Sequence, residues 1–161
     1  MQYKTTDLCD ANMGKVIIAD YIGFRDYGGR KSFSGQIHTV KCYEDHAWVE
    51  KALNTDGTGK VLVVDAGGSL RCAVTGDRLA GIGVKNHWSG IIIYGAIRDS
   101  ATIATLDIGV KALGTYPISC VTDTQWQENI PVQFAGVVFN PGHFVYCDED
   151  GIITSETALS I

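Results

Sequence analysis

Two unbroken apolar runs limit what this chain can fold into more than any other feature. Val61-Leu62-Val63-Val64-Asp65 and Ile91-Ile92-Ile93-Tyr94-Gly95 carry apolar side chains at successive positions rather than alternate ones. Neighbouring side chains of a strand point to opposite faces, so such a strand is covered on both sides and belongs inside a parallel sheet. The intervening segments agree. Ala66-Gly67-Gly68-Ser69 turns the chain, and Asp77 to Lys85 is expected to be a helix carrying Leu79, Ala80, Ile82 and Gly83. Ser100 to Leu106 reads as a second helix and Val110 to Thr115 as a third strand. Strand, helix, strand, helix, strand is the pattern of right-handed βαβ crossovers.

The flanks differ. Thr5 or Thr6 is placed to N-cap a short opening helix through Asn12, with Asp7 at the positive end of its dipole. A glycine- and arginine-rich loop from Gly23 to Lys31 follows; Gly35 to Tyr43 then predicts a strand and Glu44 to Leu53 a helix. Beyond Pro131, Val132 to Phe139 predicts a hairpin turning at Ala135-Gly136. Phe144-Val145-Tyr146 and Ile152-Ile153-Thr154 predict strands on either side of the acidic turn Asp148-Glu149-Asp150-Gly151. The expected architecture is α/β, a single domain over residues 1–161 with a parallel βαβ centre and an antiparallel β layer.

Composition narrows the function. At 161 residues the chain suits one core, and 45% apolar with 19% charged residues excludes intrinsic disorder. A net charge of −5 and a pI near 5.2 argue against direct binding to nucleic acid, which needs a basic face. The uncharged stretch from Asn129 to Cys147 is interrupted by Pro131, Gln133 and Asn140-Pro141-Gly142, so it predicts strands and no membrane span. The segment Met1 to Asp7 lacks the apolar region of a signal peptide. Five scattered cysteines without a Cys-x-x-Cys pair predict buried reduced thiols in a cytoplasmic protein.

Ligands of α/β sheets bind beyond the carboxyl ends of the parallel strands. Three loops meet that description: Asp65 to Ser69, Thr75-Gly76-Asp77-Arg78-Leu79, and Ala96-Ile97-Arg98-Asp99. Gly67, Gly68, Gly76 and Gly95 fall in or beside them. The second loop opens a helix, whose free N–H groups suit an anion, and Gly76 lets the backbone come close to it. Arg98 offers a planar fork to a carboxylate. Asp77 and Asp99 are hard oxygen donors that, with waters, suit Mg²⁺ or Mn²⁺. The same residues also admit a structural role, Asp77 as a first-turn acid and Asp99 as the N-cap of the next helix paired with Arg98. His38, His46, His87 and His143 are scattered and read as surface or packing residues, and no phosphate-binding glycine motif is present.

Seven segments, taken together and in order, resemble the RraA-like family. They are Thr6-Asp7-Leu8-Cys9-Asp10, Tyr27-Gly28-Gly29-Arg30, residues 61–69, Gly76-Asp77-Arg78-Leu79-Ala80, Gly95-Ala96-Ile97-Arg98-Asp99, residues 106–115, and residues 146–152. The resemblance implies a swivelling β/β/α-type domain in a ring-shaped homotrimer with sites at subunit clefts. It implies either of two functions. One is a metal-dependent lyase (an aldolase) that cleaves 4-hydroxy-4-methyl-2-oxoglutarate to two pyruvates and also acts as an oxaloacetate decarboxylase. The other is a non-catalytic regulator that binds and inhibits ribonuclease E, or binds an RNA helicase. The aldolase branch is similar in having an aspartate, twenty residues, then Arg-Asp, which Asp77 and Arg98-Asp99 satisfy. By that resemblance Asp99 is the direct ligand of Mg²⁺ or Mn²⁺, and Asp77 holds the metal through a water. Arg98 binds the 2-oxo acid substrate, and the backbone of Gly76, Asp77, Arg78 and Leu79 cradles its carboxylate. Two departures stand out. Residues 117–128 replace a lysine- and glycine-rich loop, and the chain ends at Ile161, short of an extension that supplies an acidic residue to a neighbouring subunit.

Overall fold

The computed structural model describes residues 3–121 and 125–161. The expectations for residues 1–2 and for residues 122–124 of the departing loop lie outside them.

The two apolar runs are the central strands. Four parallel strands lie side by side in chain order: β3 (Phe33–Lys41), β4 (Lys60–Asp65), β6 (Gly90–Ile97) and β7 (Gly109–Thr115). The helices between them are α2 (Ala47–Leu53), α3 (Asp77–Lys85) and α4 (Ser100–Ile103). Parallel strands laid down in one direction with crossovers of one hand put every helix on the same face. The packing shows it. Leu62, Val64, Ile91 and Ile93 point to that face, against Val49, Leu53, Leu79, Ala80 and Ile103. Val61, Val63 and Ile92 point the other way, against the hairpin of β9 (Val132–Phe134) and β10 (Val137–Phe139). Helices, sheet and hairpin make the β/β/α layering, and all of these central side chains are fully buried.

The antiparallel strands are less separate than a second layer would be. β11 (Phe144–Asp148) pairs with β3, β12 (Gly151–Ser155) with β11, and β1 (Val16–Ile18) with β12, so they extend the main sheet. On its other side β7 pairs with the short β2 (Arg25–Asp26), where buried Lys111 meets Asp26 at 2.9 Å. A two-residue strand, β8 (Gln127–Glu128), runs against β3. Among the described strands, only the β9–β10 hairpin stands apart.

Several local expectations are corrected. The first helix, α1 (Thr5–Ala11), starts at Lys4 as N-cap, because Thr5 gives its N–H and hydroxyl to Asp148 of β11 instead. α2 begins at Ala47 and not Glu44, since Glu44 has a left-handed backbone (φ 51°) and binds Ser69 and Arg71. α4 stops at Ile103. Four short strands have no counterpart in the sequence reading: β1, β2, β8 and β5 (Ala73–Thr75), the last of which pairs in parallel with the far half of β6.

The cysteines also differ from expectation. Cys72 and Cys120, 48 positions apart, form a disulfide, while Cys9, Cys42 and Cys147 are free. Ala73 bridges Ser119 in parallel, which brings the two cysteines together where no sequence spacing could. Burial pushes the Cys42 thiol up to about 12 and the Cys147 thiol up as well, so both are unreactive near neutrality. Among the described residues no helix is long and apolar enough to cross a membrane.

Candidate active site

β5 explains how two remote motifs meet. It lies beside β6 with Thr75 opposite Ile97, and both strands run the same way, so the residues that follow each emerge together. After β5 come Gly76 and Asp77 at the start of α3; after β6 come Arg98 and Asp99 at the start of α4. The Arg98 N–H donates to the Thr75 carbonyl at 2.9 Å and closes the pair. The result is a cleft of about 280 Å³ whose lining includes Gly76, Asp77, Arg78, Leu79, Arg98 and Asp99. Every predicted site residue is in it.

The structural roles hold in part: Asp77 is the first-turn acid of α3, and Asp99 lies within ion-pair distance of Arg98. Asp99 does stand at the N-cap of α4, but its side chain makes no cap there. With φ 58° and ψ 35° its backbone is left-handed, and one carboxylate oxygen takes the Asp77 N–H at 3.2 Å. Its Oδ2 lies 3.9 Å from Arg98 Nε, an ion pair too long for a hydrogen bond, so among the described residues no carboxylate hydrogen-bonds the Arg98 fork. Gly76 is required for space: its φ of −130° suits any residue, yet a Cβ there would stand 2.6 Å from Asp99 Oδ2 and 3.3 Å from Arg98 Cγ. Arg78 is committed elsewhere. Its guanidinium holds Glu50 of α2 with two bonds, at 2.6 and 2.9 Å, and draws that carboxyl below its usual range, so only the Arg78 backbone faces a ligand role.

Three polar lining residues were not singled out as site residues in the sequence. Thr75 is 2% exposed and its hydroxyl has no partner among the described residues, an orphaned polar atom that a bound ligand or water would satisfy. His46, expected to be a surface or packing residue, lines the cleft and its Nδ1 donates to the Cys120 carbonyl. Ser119 belongs to the loop that replaces the family's lysine- and glycine-rich segment. Only the position of Thr75, directly before Gly76-Asp77, was a usable signal. Conversely, the Asp65 to Ser69 loop is not part of this site. Asp65 and Gly67 line a separate cleft of about 840 Å³ with Tyr43 and Tyr94, and Gly95 packs on Ala66.

The donors fit a small hard cation. Among the described residues no three of His, Cys, Asp and Glu converge, which excludes an all-protein cage from those residues. Mg²⁺ does not use one: it keeps several waters and takes one or two carboxylates. Asp99, with its backbone fixed and the Gly76 notch beside it, and exposed Asp77 meet that description.

Residues 5–154 match the family model for RraA-like proteins, described as Aldolase/RraA. A protein of Aromatoleum aromaticum, provisionally named 4-hydroxy-4-methyl-2-oxoglutarate aldolase, is 52% identical over 99% of both chains. One of Alcanivorax borkumensis with the same provisional name is 54% identical over the same shares. Among solved structures, an RNA-processing inhibitor RraA from Thermus thermophilus superposes with a TM-score of 0.94 at 35% identity, covering 99% of this chain and 96% of that one. A Geobacillus kaustophilus protein described as an S-adenosylmethionine-dependent 2-dimethylmenaquinone methyltransferase gives 0.94 at 42% identity, over 98% and 97%.

Proposed function

From the premise that this chain belongs to the RraA-like family, we propose that it is a divalent-metal-dependent lyase for short 2-oxo acids. Its substrate is 4-hydroxy-4-methyl-2-oxoglutarate, cleaved to two pyruvates, and decarboxylation of oxaloacetate is its side reaction. The carrying observation is the convergence of Asp77, Arg98 and Asp99 on one cleft.

Asp99 would hold Mg²⁺ or Mn²⁺ directly and Asp77 through a water. The cation's part is Lewis-acid polarisation of the 2-oxo group, so that charge developing on its oxygen is stabilised. Arg98, which among the described residues has no hydrogen-bonding carboxylate, binds the substrate carboxylate and orients it. The N–H groups of Arg78 and Leu79 at the opening of α3 add a positive dipole end to the same carboxylate, while that of Asp77 is held by Asp99. Cleaving the bond beyond C3 leaves pyruvate as its enolate; loss of pyruvate or of carbon dioxide as the other fragment yields that same species. One site therefore serves both reactions. The guanidinium of Arg98 stabilises the enolate charge as it forms.

The proposal is tested by pyruvate formation from 4-hydroxy-4-methyl-2-oxoglutarate with Mg²⁺ or Mn²⁺. Arg98→Ala should lower kcat/KM by about a hundredfold or more. Equal rates for both proteins would remove Arg98 from the site.

A second reading is favoured by the Thermus likeness: a homotrimeric regulator that binds ribonuclease E through protein contacts and needs no metal. A pull-down with ribonuclease E separates the readings. Binding that survives Asp99→Asn supports the regulator, and no complex at all rejects it.

A further inference from the structure

The walls of the cleft are joined by a covalent bond that neither functional reading uses. Cys72 directly precedes β5, which runs through Thr75 into Gly76 and Asp77. Opposite it, Cys120 lies between Ser119 and Val121, both of which line the cleft. Two backbone bonds tie the segments: the Ala73 N–H donates to the Ile118 carbonyl at 2.7 Å, and the Cys120 N–H to the Ala73 carbonyl at 2.9 Å. The Cys120 carbonyl in turn accepts from Nδ1 of His46. A carbonyl can only accept, so this contact fixes the His46 proton on Nδ1 and the orientation of its ring. The disulfide thus sits behind three lining residues that come from three different parts of the chain.

Among the described residues, little apolar packing holds that wall. Ile118 is 63% exposed and Val121 84%, so the segment buries almost no apolar surface around the cysteine. Buried apolar area is what ordinarily keeps a loop in place against its conformational entropy. Here the cross-link takes that role.

We propose that Cys72–Cys120 is a reversible redox site that positions the cleft. Bonded, it keeps residues 118–120 against β5 and His46 in register; reduced, it releases that wall and the affinity for a 2-oxo acid falls. The reductant is a dithiol. One of its thiolates attacks a sulfur of the bond to give a mixed disulfide, and its second thiol displaces the chain and closes its own disulfide. Two electrons and two protons pass to the chain, leaving both cysteines as thiols. Only the identity of the ligand rests on the lyase reading.

The test equilibrates the full chain in defined mixtures of oxidised and reduced dithiothreitol. Free thiols should number three when the bond is closed and five when it is open. Amide hydrogen exchange at Ala73 and Cys120 should quicken on reduction. KM for the 2-oxo acid should rise about tenfold with a smaller change in kcat, at the same potential as the thiol count. Cys120→Ser should hold the reduced-state KM at every potential. Five free thiols in the air-oxidised chain would overturn the proposal, as would unchanged exchange and KM while the count goes from three to five. Faster exchange on reduction without pyruvate release in either state would support the positioning role and reject the lyase reading alone.

Discussion

Asp99 holds a backbone conformation that few residues accept. A left-handed φ costs most side chains about 1–2 kcal/mol, and aspartate and asparagine tolerate it best. Asp99→Asn therefore removes the charge and keeps the turn. We expect its unfolding free energy to stay within about 0.5 kcal/mol of the parent while Mn²⁺ binding, followed by electron paramagnetic resonance, is lost. Gly76 makes the complementary case. Its backbone angles suit alanine, so the added Cβ acts on Asp99 and not on the chain path. Gly76→Ala should fold normally and bind Mn²⁺ about tenfold more weakly; unaltered affinity would mean that the notch beside Asp99 has no function. These residues were legible because glycine, arginine and aspartate each carry a distinct chemistry. His46 was not, since a lone histidine takes its meaning from neighbours brought by the fold, and Thr75 was marked only by its place before Gly76-Asp77.

At the level of elements, what was readable was set by length and burial. β4 and β6 announced themselves because both faces of each are covered, which leaves no polar position from Val61 to Val64 or from Ile91 to Ile93. β5 has three residues and β8 two, too few to show any period. The start of α1 misled for another reason: Thr5 has a better acceptor 143 positions away than its own helix offers. Burial alone would raise the Asp148 carboxyl, yet the Thr5 N–H and hydroxyl and the amides of Asp150 and Gly151 outweigh it and hold it below its usual range. The sign follows. The clasp stabilises the fold fully above the unfolded carboxyl value of about 4 and is lost as pH falls through the lower folded value. Asp148→Asn should be less stable than the parent at pH 7, with the gap closing in acid, as urea unfolding at several pH values would show. Tight packing gives a second test. The Phe33 ring of β3 fills the space over Gly90 of β6 and Gly109 of β7, so Gly90→Ala forces it aside. We expect a loss of about 1–3 kcal/mol in the same unfolding measurement; no loss would mean that the ring moves freely.

For the whole molecule, the spacing that marks the aldolase branch has a plain physical content. The residues from Asp77 to Asp99 are one helix, a turn and one strand, the length of chain that returns it to the same edge of the sheet. The pattern therefore reports a distance in space. The disulfide left no such trace, because its partners are joined by a bridge between β5 and a loop with no regular structure. Assembly is a property of this scale too. If the family reading holds, light scattering should give a mass three times that of the 17.4 kDa chain, and a monomer would remove the subunit clefts from the account. The central claim, a metal-dependent lyase built on Asp99, is tested most directly by one comparison. Pyruvate release from 4-hydroxy-4-methyl-2-oxoglutarate is followed for the parent and for Asp99→Asn, each with Mg²⁺ and each with a chelator. The account predicts two pyruvates per substrate from the parent with Mg²⁺ and background in the other three; release that is equal with the chelator, or equal from Asp99→Asn, would contradict it.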